Sequence, residues 1–371
     1  MATQRFTALD VFRGMTICFM IIVNTPGNGV TTYSPLLHAQ WHGFTPTDLV
    51  FPSFLFAVGN ALSFVMPKWN NLPTGTVVWK ILKRTLIIFL LGFLMYWFPF
   101  VKQVAGEVVF APFSQTRVFG VLQRIALCYG IAALMLYFLK PKLTIIISIG
   151  LLLLYWIILL IFGEGDPFSM EGNAGILLDK WLLGEAHMYH GEGVAFDPEG
   201  LLSTMTSISN VVAGFVVGSF IQKQGKTYEM LIKLLLAGAA LLAIAWIWNH
   251  FFPVNKKLWT SSFVLLTVGL DCIIIAAVIY VIDFLHKTKW TYFFEVFGRN
   301  PLFIYLLSEL GVTLLYVFFV QPKVTVYKWI YETIYVNAGA YFGSLLFAVS
   351  VMLICWVVGY WMDKKKIYVR V

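Results

Sequence analysis

Two histidines and a carboxylate lie together between two long apolar segments near the start of the sequence. His38 and His42 are four residues apart, and Asp48 follows where the second apolar segment begins. Histidine exchanges protons near neutral pH, and a carboxylate can orient the imidazole of a catalytic histidine. These residue types predict general-base or nucleophilic chemistry. Two simpler roles stay open: a loop histidine bonded to a backbone carbonyl for His38, and a helix N-cap for Asp48.

Two arginines and an asparagine add groups that bind or stabilise negative charge. Arg124 lies in or near an apolar segment, where a charge is costly and usually faces a cavity or a partner. Arg117 falls on roughly the same helical face, and guanidinium groups match phosphate or carboxylate bidentately. Asn24 ends the first apolar segment, where its amide could donate to a developing oxyanion. For Asn24 and Arg117 a purely structural role is equally open.

The connection 252–262 offers a further anion site. It combines adjacent lysines with an aromatic ring and a hydroxyl at the expected start of a helix, a set that suits phosphate. Short loops also tolerate adjacent lysines without any ligand. The candidates are Asn255, Lys256, Lys257, Trp259 and Ser261.

Several other polar residues are expected to have local partners. Asp271 and Glu309 lie inside predicted spans and should pair with an Arg or Asn of the bundle. Asp10 and Arg13, three residues apart, should form an ion pair on one helical face. His187 and His190 are expected to be a surface pair. No His or Cys cluster supports a metal site, so no metal is predicted.

Composition identifies the class of protein. The chain of 371 residues is 60% hydrophobic and 12% charged, with a mean hydropathy of +0.82. Charged residues make up about a quarter of ordinary soluble domains. Continuous apolar segments recur along the whole chain, so the fold class is all-α, a polytopic membrane bundle, and not a β-barrel. The lipid bilayer is therefore a partner. The net charge of +8 reflects basic loops that set topology, and nucleic-acid binding is not expected.

Ten membrane spans are predicted, and the aromatic segment 290–297 is either an interfacial helix or a very short eleventh span. Most Lys and Arg residues fall on the side that would hold both chain ends, which favours an N-in, C-in orientation with the His38 loop outside the cytoplasm. The spans are 9–23, 48–66, 79–98, 118–139, 143–162, 200–221, 230–252, 259–284, 300–320 and 341–362.

The longest connection, residues 163–199, is acidic and glycine-rich but also contains aromatic and aliphatic side chains. Long loops of this kind are usually functional or disordered. The apolar content favours a folded cap over the outer mouth of the bundle. Because no internal repeat is evident, residues 1–371 are expected to form one domain.

Six segments of the chain resemble the transmembrane acyltransferase family typified by heparan-alpha-glucosaminide N-acetyltransferase, with its bacterial relatives. They occur in the same order and span nearly the whole chain. They are 10–14 (DVFRG), 23–24 (VN), 38–43 (HAQWHG) leading to 48–52 (DLVFP), 120–124 (GVLQR), 196–200 (FDPEG) and 253–259 (PVNKKLW).

The resemblance implies acetyl-CoA as donor and the amine of a terminal glucosamine or related amino sugar as acceptor. It implies that His38 is the catalytic residue, with Asn24 close to it. The sequence departs from the family at His42, where the family has Asn. It also lacks the large lumenal N-terminal region of the lysosomal enzyme, which suggests a bacterial inner-membrane version and leaves the acceptor open.

The hypothesis at this stage is a membrane-bound acetyltransferase. His38 would be a general base or transient acetyl carrier, with Asp48 orienting it and Asn24 stabilising the oxyanion. Arg117, Arg124 and the 252–262 loop would hold the CoA phosphates. An O-acetyltransferase acting on a cell-wall or exported glycan hydroxyl is one alternative. A small-solute transporter is another, although the chain lacks paired broken spans in two matching halves. The oligomeric state stays open, with a homodimer among the options.

Overall fold

The computed structural model describes residues 6–104 and 107–369, and its regular structure is almost entirely helical, which confirms the predicted all-α class. Two short antiparallel hairpins lie in the loops, Val101–Val104 with Glu107–Phe110 and Phe319–Gln321 with Val324–Thr325. In chain order the elements are α1 (Thr7–Asn24), α2 (Val50–Trp69), α3 (Thr74–Trp97), β1 (Val101–Val104), β2 (Glu107–Phe110), α4 (Val121–Phe138), α5 (Pro141–Phe162), α6 (Ala174–Leu183), α7 (Leu201–Gln224), α8 (Tyr228–Trp248), α9 (Ser261–Ile279), α10 (Thr291–Arg299), α11 (Pro301–Val317), β3 (Phe319–Gln321), β4 (Val324–Thr325), α12 (Val326–Ile330) and α13 (Ala340–Lys364).

Each of the ten predicted spans coincides with a long helix. Within the described residues, eight helices are long and apolar enough to cross a membrane, and α10 with α11, bent by 83° at their junction, would make a ninth. Helix α3 has the necessary length but carries Lys80, Lys83 and Arg84 in its first half. The aromatic segment forms α10, which has nine residues. Because about 20 residues are needed to span a bilayer, α10 is not an eleventh span.

Small residues allow the central helices to approach closely. A spanning segment must satisfy its backbone hydrogen bonds internally, so helices form, and their association then depends on close packing. A Cβ atom added to Gly59 of α2 would lie 1.9 Å from the carbonyl oxygen of Val211 in α7. One added to Gly214 of α7 would lie 1.9 Å from the carbonyl oxygen of Phe56 in α2. The α2–α7 crossing therefore excludes any side chain at these two positions.

Loops from distant parts of the chain meet at one end of the bundle, which we call the His38 end. Gly43 N donates to Val254 O at 2.8 Å, and Val118 N donates to His187 O at 3.1 Å. Trp41 Nε1 donates to Phe168 O at 2.9 Å. The acidic connection thus folds against the His38 loop, with α6 as its helix.

Both described ends of the chain lie at the opposite end of the bundle, which we call the Arg299 end. Lys226, in the α7–α8 turn, contacts the Phe6 ring, and Val369 N donates to Asn300 Oδ1 at 2.8 Å. This agrees with an even number of crossings. Which end faces the cytoplasm stays a prediction, and two of the basic residues that favour it, Arg5 and Arg370, lie outside the described residues.

Candidate functional site

Asp48 is held rigidly at the entrance to α2 and oriented toward His38. Its Oδ2 accepts from Ala39 N at 3.1 Å, Thr45 N at 2.9 Å and Thr45 Oγ1 at 3.0 Å, completing a capping box with Thr45. Its Oδ1 lies 2.7 Å from His38 Nδ1. Asp48 is fully buried, whereas the side chain of His38 is 43% exposed. One carboxylate therefore caps the helix and fixes the imidazole at the same time.

Lys256 contacts the same imidazole, although 218 residues separate the two positions. Its Nζ lies 2.9 Å from His38 Nδ1 and 3.2 Å from Nε2. An atom nearly equidistant from both ring nitrogens lies over the ring and not along a nitrogen lone pair. Because Nδ1 faces Asp48, the Nε2 lone pair in the ring plane is available to a substrate proton.

The surroundings of His38 favour its neutral form. Burial among protein atoms is the main cause that lowers the pKa of His38, and the positive charge of Lys256 lowers it further, against the opposing effect of Asp48. Burial also lowers the pKa of Lys256, while Asp48 and Glu199 act in the opposite direction. A neutral, oriented imidazole is the form that can accept a proton.

The 252–262 loop is shaped by Asn255, which is fully buried. Asn255 Oδ1 accepts from Leu258 N at 2.8 Å, and Asn255 N donates to Thr260 Oγ1 at 3.0 Å. Its Nδ2 lies 3.4 Å from His42 Nδ1. This tight turn presents Lys256 to His38. Lys257 binds Glu192 of the cap at 2.6 Å and Gln40 O of the His38 loop at 2.8 Å.

Arg117 is sandwiched between aromatic rings and neutralised by two carboxylates. Its guanidinium lies over the rings of Tyr96 and Tyr189 and contacts Asp197 Oδ1 and Glu199 Oε2, both at 2.6 Å. Burial raises the pKa of Asp197 to about 6, with Arg117 opposing the shift. Arg117 lowers the pKa of Glu199 against the effect of burial. The site joins the cap to α3 and to the start of α7.

Arg124 is fully buried and packs against Trp259. Its guanidinium lies 4.9 Å from the Trp259 ring centroid and donates to Gly200 O at 3.0 Å and to the Ser203 hydroxyl. Among the described residues, its Nε and Nη1 have no hydrogen-bond partner. Trp259 and Ser261 are likewise buried; Ser261 Oγ donates to Leu152 O at 2.7 Å. These three side chains lie in the packed interior, away from the exposed imidazole of His38.

Asn24 and Glu309 form a separate polar pair where α1 ends. Asn24 Nδ2 donates to Glu309 Oε1 at 3.2 Å, so the predicted pairing of Glu309 with an Asn of the bundle is confirmed. Asp271 pairs with the Ser53 hydroxyl of α2, and not with the expected Arg or Asn. The ion pair between Asp10 and Arg13 is present at 3.0 Å. His187 Nδ1 lies 2.8 Å from Thr116 O in the α3–α4 connection, and His190 Nε2 lies 3.0 Å from Glu185 O in the cap.

A cavity of about 350 Å³ occupies the other half of the bundle. It runs between Leu122 and Tyr129 on α4, which is about 10 Å along the helix axis. Three arginines line it. Arg13 and Arg299 have carboxylate partners, whereas Arg84 lies over the Tyr129 ring, with no carboxylate paired to it in the part of the chain that the structure describes.

Sequence reasoning gave no role to Glu199, Tyr96 or Arg84. Glu199 lies in the FDPEG segment that resembles the family, which was its available signal. Arg84 sits with two lysines at the start of a predicted span, and an intramembrane arginine is a functional signal by itself. Tyr96 is one aromatic residue among many, so nothing local distinguished it.

Comparisons with known proteins show which proteins the chain resembles. A family model described as "Heparan-alpha-glucosaminide N-acetyltransferase, catalytic" matches residues 5–167. That range includes Asn24, His38, Asp48, Arg117 and Arg124, but not the 252–262 loop.

Two relatives extend the similarity to most of the chain. The heparan-alpha-glucosaminide N-acetyltransferase of Homo sapiens is 28% identical over 366 residues, which cover 82% of this chain and 53% of the relative. The protein of that name from Mus musculus is 27% identical over 378 residues, which cover 83% and 54%. The chain thus spans about half the length of these curated relatives. It is similar to the heparan-alpha-glucosaminide N-acetyltransferases over most of its length, and its residues 5–167 match the model of that family's catalytic region.

Proposed function

We propose that this chain is a membrane acetyltransferase that moves the acetyl group of acetyl-CoA to the amine of a terminal glucosamine or related amino sugar. The observation that carries the proposal is the His38–Asp48 pair, whose Nδ1 and Oδ1 atoms are 2.7 Å apart, with Lys256 Nζ 3.2 Å from His38 Nε2. The names of the relatives support an acetyl group as the group transferred and the nitrogen of a glucosaminide as its acceptor.

The proposed reaction needs one base and one site for negative charge. His38 Nε2 accepts a proton from the acceptor amine as the amine nitrogen attacks the thioester carbonyl carbon. The new C–N bond places a negative charge on the carbonyl oxygen, and Lys256 lies beside His38 to stabilise it. Asn24 stays our candidate for a second donor to this oxygen. When the C–S bond breaks, His38 returns its proton to the thiolate. Transient acetylation of His38 is the covalent variant of this route.

We propose that the CoA phosphates bind in the cavity at the Arg299 end. Arg117 and Lys257, both sequence candidates for this role, are neutralised by carboxylates of the cap. Arg84 has no such partner among the described residues and lines a cavity whose far end reaches Leu122 and Tyr305. Tyr305 lies one helical turn before Glu309, the partner of Asn24. A donor that enters here would extend toward the His38 end through the bundle, which would explain how a cytoplasmic donor reaches the far side.

The test is acetyl transfer by purified protein in lipid nanodiscs. We expect wild-type protein to release CoA and to form N-acetylglucosamine from glucosamine. Replacement His38→Ala should lower turnover by about 10²–10⁴-fold, the usual contribution of a general base. His250→Ala is the matched control, because His250 is an exposed histidine just after α8 whose Nδ1 lies 3.0 Å from Trp246 O. Near-normal turnover of His38→Ala would remove His38 from the mechanism, and absence of CoA release by wild-type protein would contradict the proposed activity.

A further inference from the structure

An apolar groove of about 260 Å³ opens beside the His38 loop, between α1, α2 and α9. It is distinct from the arginine-lined cavity. Its wall includes Met15, Phe19 and Val23 of α1, Val50 of α2 and Ile274 of α9. It is larger than the cavity of about 150 Å³ that encloses a benzene molecule in an engineered protein. It therefore has room for a hydrocarbon segment and not merely for one side chain.

Each hydroxyl in the wall of this groove already donates its proton to a protein acceptor. Three hydroxyl residues line it, and each already has a protein partner. Thr16 Oγ1 donates to Arg13 O at 2.7 Å, Thr47 Oγ1 donates to Pro35 O at 3.0 Å, and Ser53 Oγ donates to Asp271. Since all other lining side chains are apolar, the wall selects hydrocarbon over water or sugar.

The groove extends deep into the membrane. Its lining on α1 runs from Val23, near the His38 end of the helix, to Phe12. At 1.5 Å per residue this is about 16 Å, roughly half the thickness of the hydrocarbon core. Phe19, on the same wall, is 46% exposed. The groove is thus a slot for a hydrocarbon chain in the leaflet at the His38 end. In the predicted orientation this is the outer leaflet.

The upper rim of the groove is the loop that holds the candidate catalytic pair. Leu36 lies two residues before His38, so their Cα atoms are within about 8 Å. Pro46, Thr47 and Leu49 surround Asp48 in sequence, and Thr47 and Leu49 are part of the wall. The head group of a lipid whose hydrocarbon chain occupies the groove would therefore lie next to His38.

We infer that the groove seats the hydrocarbon chain of a membrane-anchored acceptor, an amino sugar linked to a lipid, whose head group then lies at His38. This rests on the proposed function and narrows its acceptor class. Because the hydrocarbon chain of the acceptor is already dissolved in the bilayer, binding in the groove adds little affinity. It holds the amine near the imidazole, which raises its effective concentration there.

The first experiment compares two acceptors with one reactive amine, methyl glucosaminide and dodecyl glucosaminide, in nanodiscs. We expect wild-type kcat/KM to be at least about tenfold higher for the dodecyl compound. Met15→Trp and Ile274→Trp, which fill the groove, should remove that advantage and leave the methyl compound unaffected. Ile146→Trp, at a lipid-exposed position of α5, is the control. Equal kcat/KM for the two acceptors with wild-type protein, or an advantage that survives both groove variants, would overturn the inference.

The second experiment does not depend on turnover. A dodecyl glucosaminide with a diazirine in its chain should label peptides 12–23 and 46–53 of the wild-type protein, and labelling should fall in both tryptophan variants. Phosphatidylcholine with the same diazirine should label these peptides much less. Equal labelling by the two probes would mean that the groove holds ordinary bilayer lipid. If neither acceptor is acetylated, the proposed function fails, and the labelling result still decides whether the groove selects the amino-sugar lipid.

Discussion

The environment of His38 combines burial with two charged groups that have opposite effects on the pKa of the imidazole. Asp48 favours the protonated ring, whereas burial and Lys256 favour the neutral one, and the latter two prevail. A base is useful at a given pH only while it is unprotonated. Lys256 therefore has two consequences in our proposal: it stabilises the oxyanion, and it keeps His38 able to accept a proton in mildly acidic conditions.

At the residue scale, this predicts a pH profile. The acid limb of kcat/KM should lie below the ordinary imidazole pKa of about 6.5. Lys256→Met removes the positive charge that lowers the pKa of His38, so the limb should move to higher pH while the maximal rate falls. Lys328→Met is the control for charge, because Lys328 lies in α12 and forms an exposed ion pair with Glu332. A limb that stays in place or moves to lower pH would contradict this reading of Lys256.

At the scale of the elements, the α2–α7 crossing supports the site. Helix α2 begins beside Asp48, and α7 begins beside Gly200, which accepts a hydrogen bond from Arg124. The two helices approach closely at Gly59 and Gly214. The separation between the His38 loop and the Arg117 cluster is thus fixed by backbone contact along these helices.

We expect Gly214→Leu to destabilise the protein by about 2–3 kcal/mol, because overpacking a tight contact forces the backbones apart. Thermal unfolding in detergent, followed by size-exclusion fluorescence, measures this as a lower Tm. Gly150→Leu is the matched control: Gly150 lies on the exposed face of α5, and a Cβ there would meet nothing within 4 Å. A similar Tm for Gly214→Leu and Gly150→Leu would show that the crossing tolerates a side chain.

At the scale of the whole molecule, the two ends of the bundle have different chemistry. At the His38 end, Arg117 and Lys257 pair with cap carboxylates, and Lys256 contacts the partly exposed imidazole. The Arg299 end has a cavity with arginines in its wall. In our proposal the acceptor uses the first end and the donor the second, so the reaction joins substrates that approach from opposite faces of the membrane.

Arg84→Ala tests the donor half of this arrangement. We expect KM for acetyl-CoA to rise by about tenfold, the effect of losing one charge-assisted contact to phosphate, with a smaller change in kcat. The salt dependence of KM should weaken as well. Lys83→Ala is the control, because Lys83 is the adjacent exposed cation on α3 but does not line the cavity. An equal rise in KM for both variants would indicate a general charge effect and not a phosphate site.

The sequence by itself determined the class of the protein, the helices and the histidine loop. Apolar segments of membrane length are a local property, because each helix must satisfy its own backbone hydrogen bonds in hydrocarbon. All ten predicted spans therefore coincide with helices, and Asp48 was expected as an N-cap, whereas the N-cap is Thr45 and Asp48 is the third residue of its capping box. The interfacial helix α10 before α11 could also be predicted, since nine residues cannot cross a bilayer.

Only the tertiary structure decided which charges meet. The contact between Lys256 and His38 joins residues 218 positions apart, and the contacts of Arg117 with Asp197 and Glu199 join the α3–α4 connection to the cap. The sequence offered these cations as phosphate ligands because a local pattern cannot reveal that a carboxylate neutralises them. The arginine-lined cavity and the apolar groove depend on how several helices pack against one another. Helix packing is set by close steric fit between distant segments, which no single segment encodes.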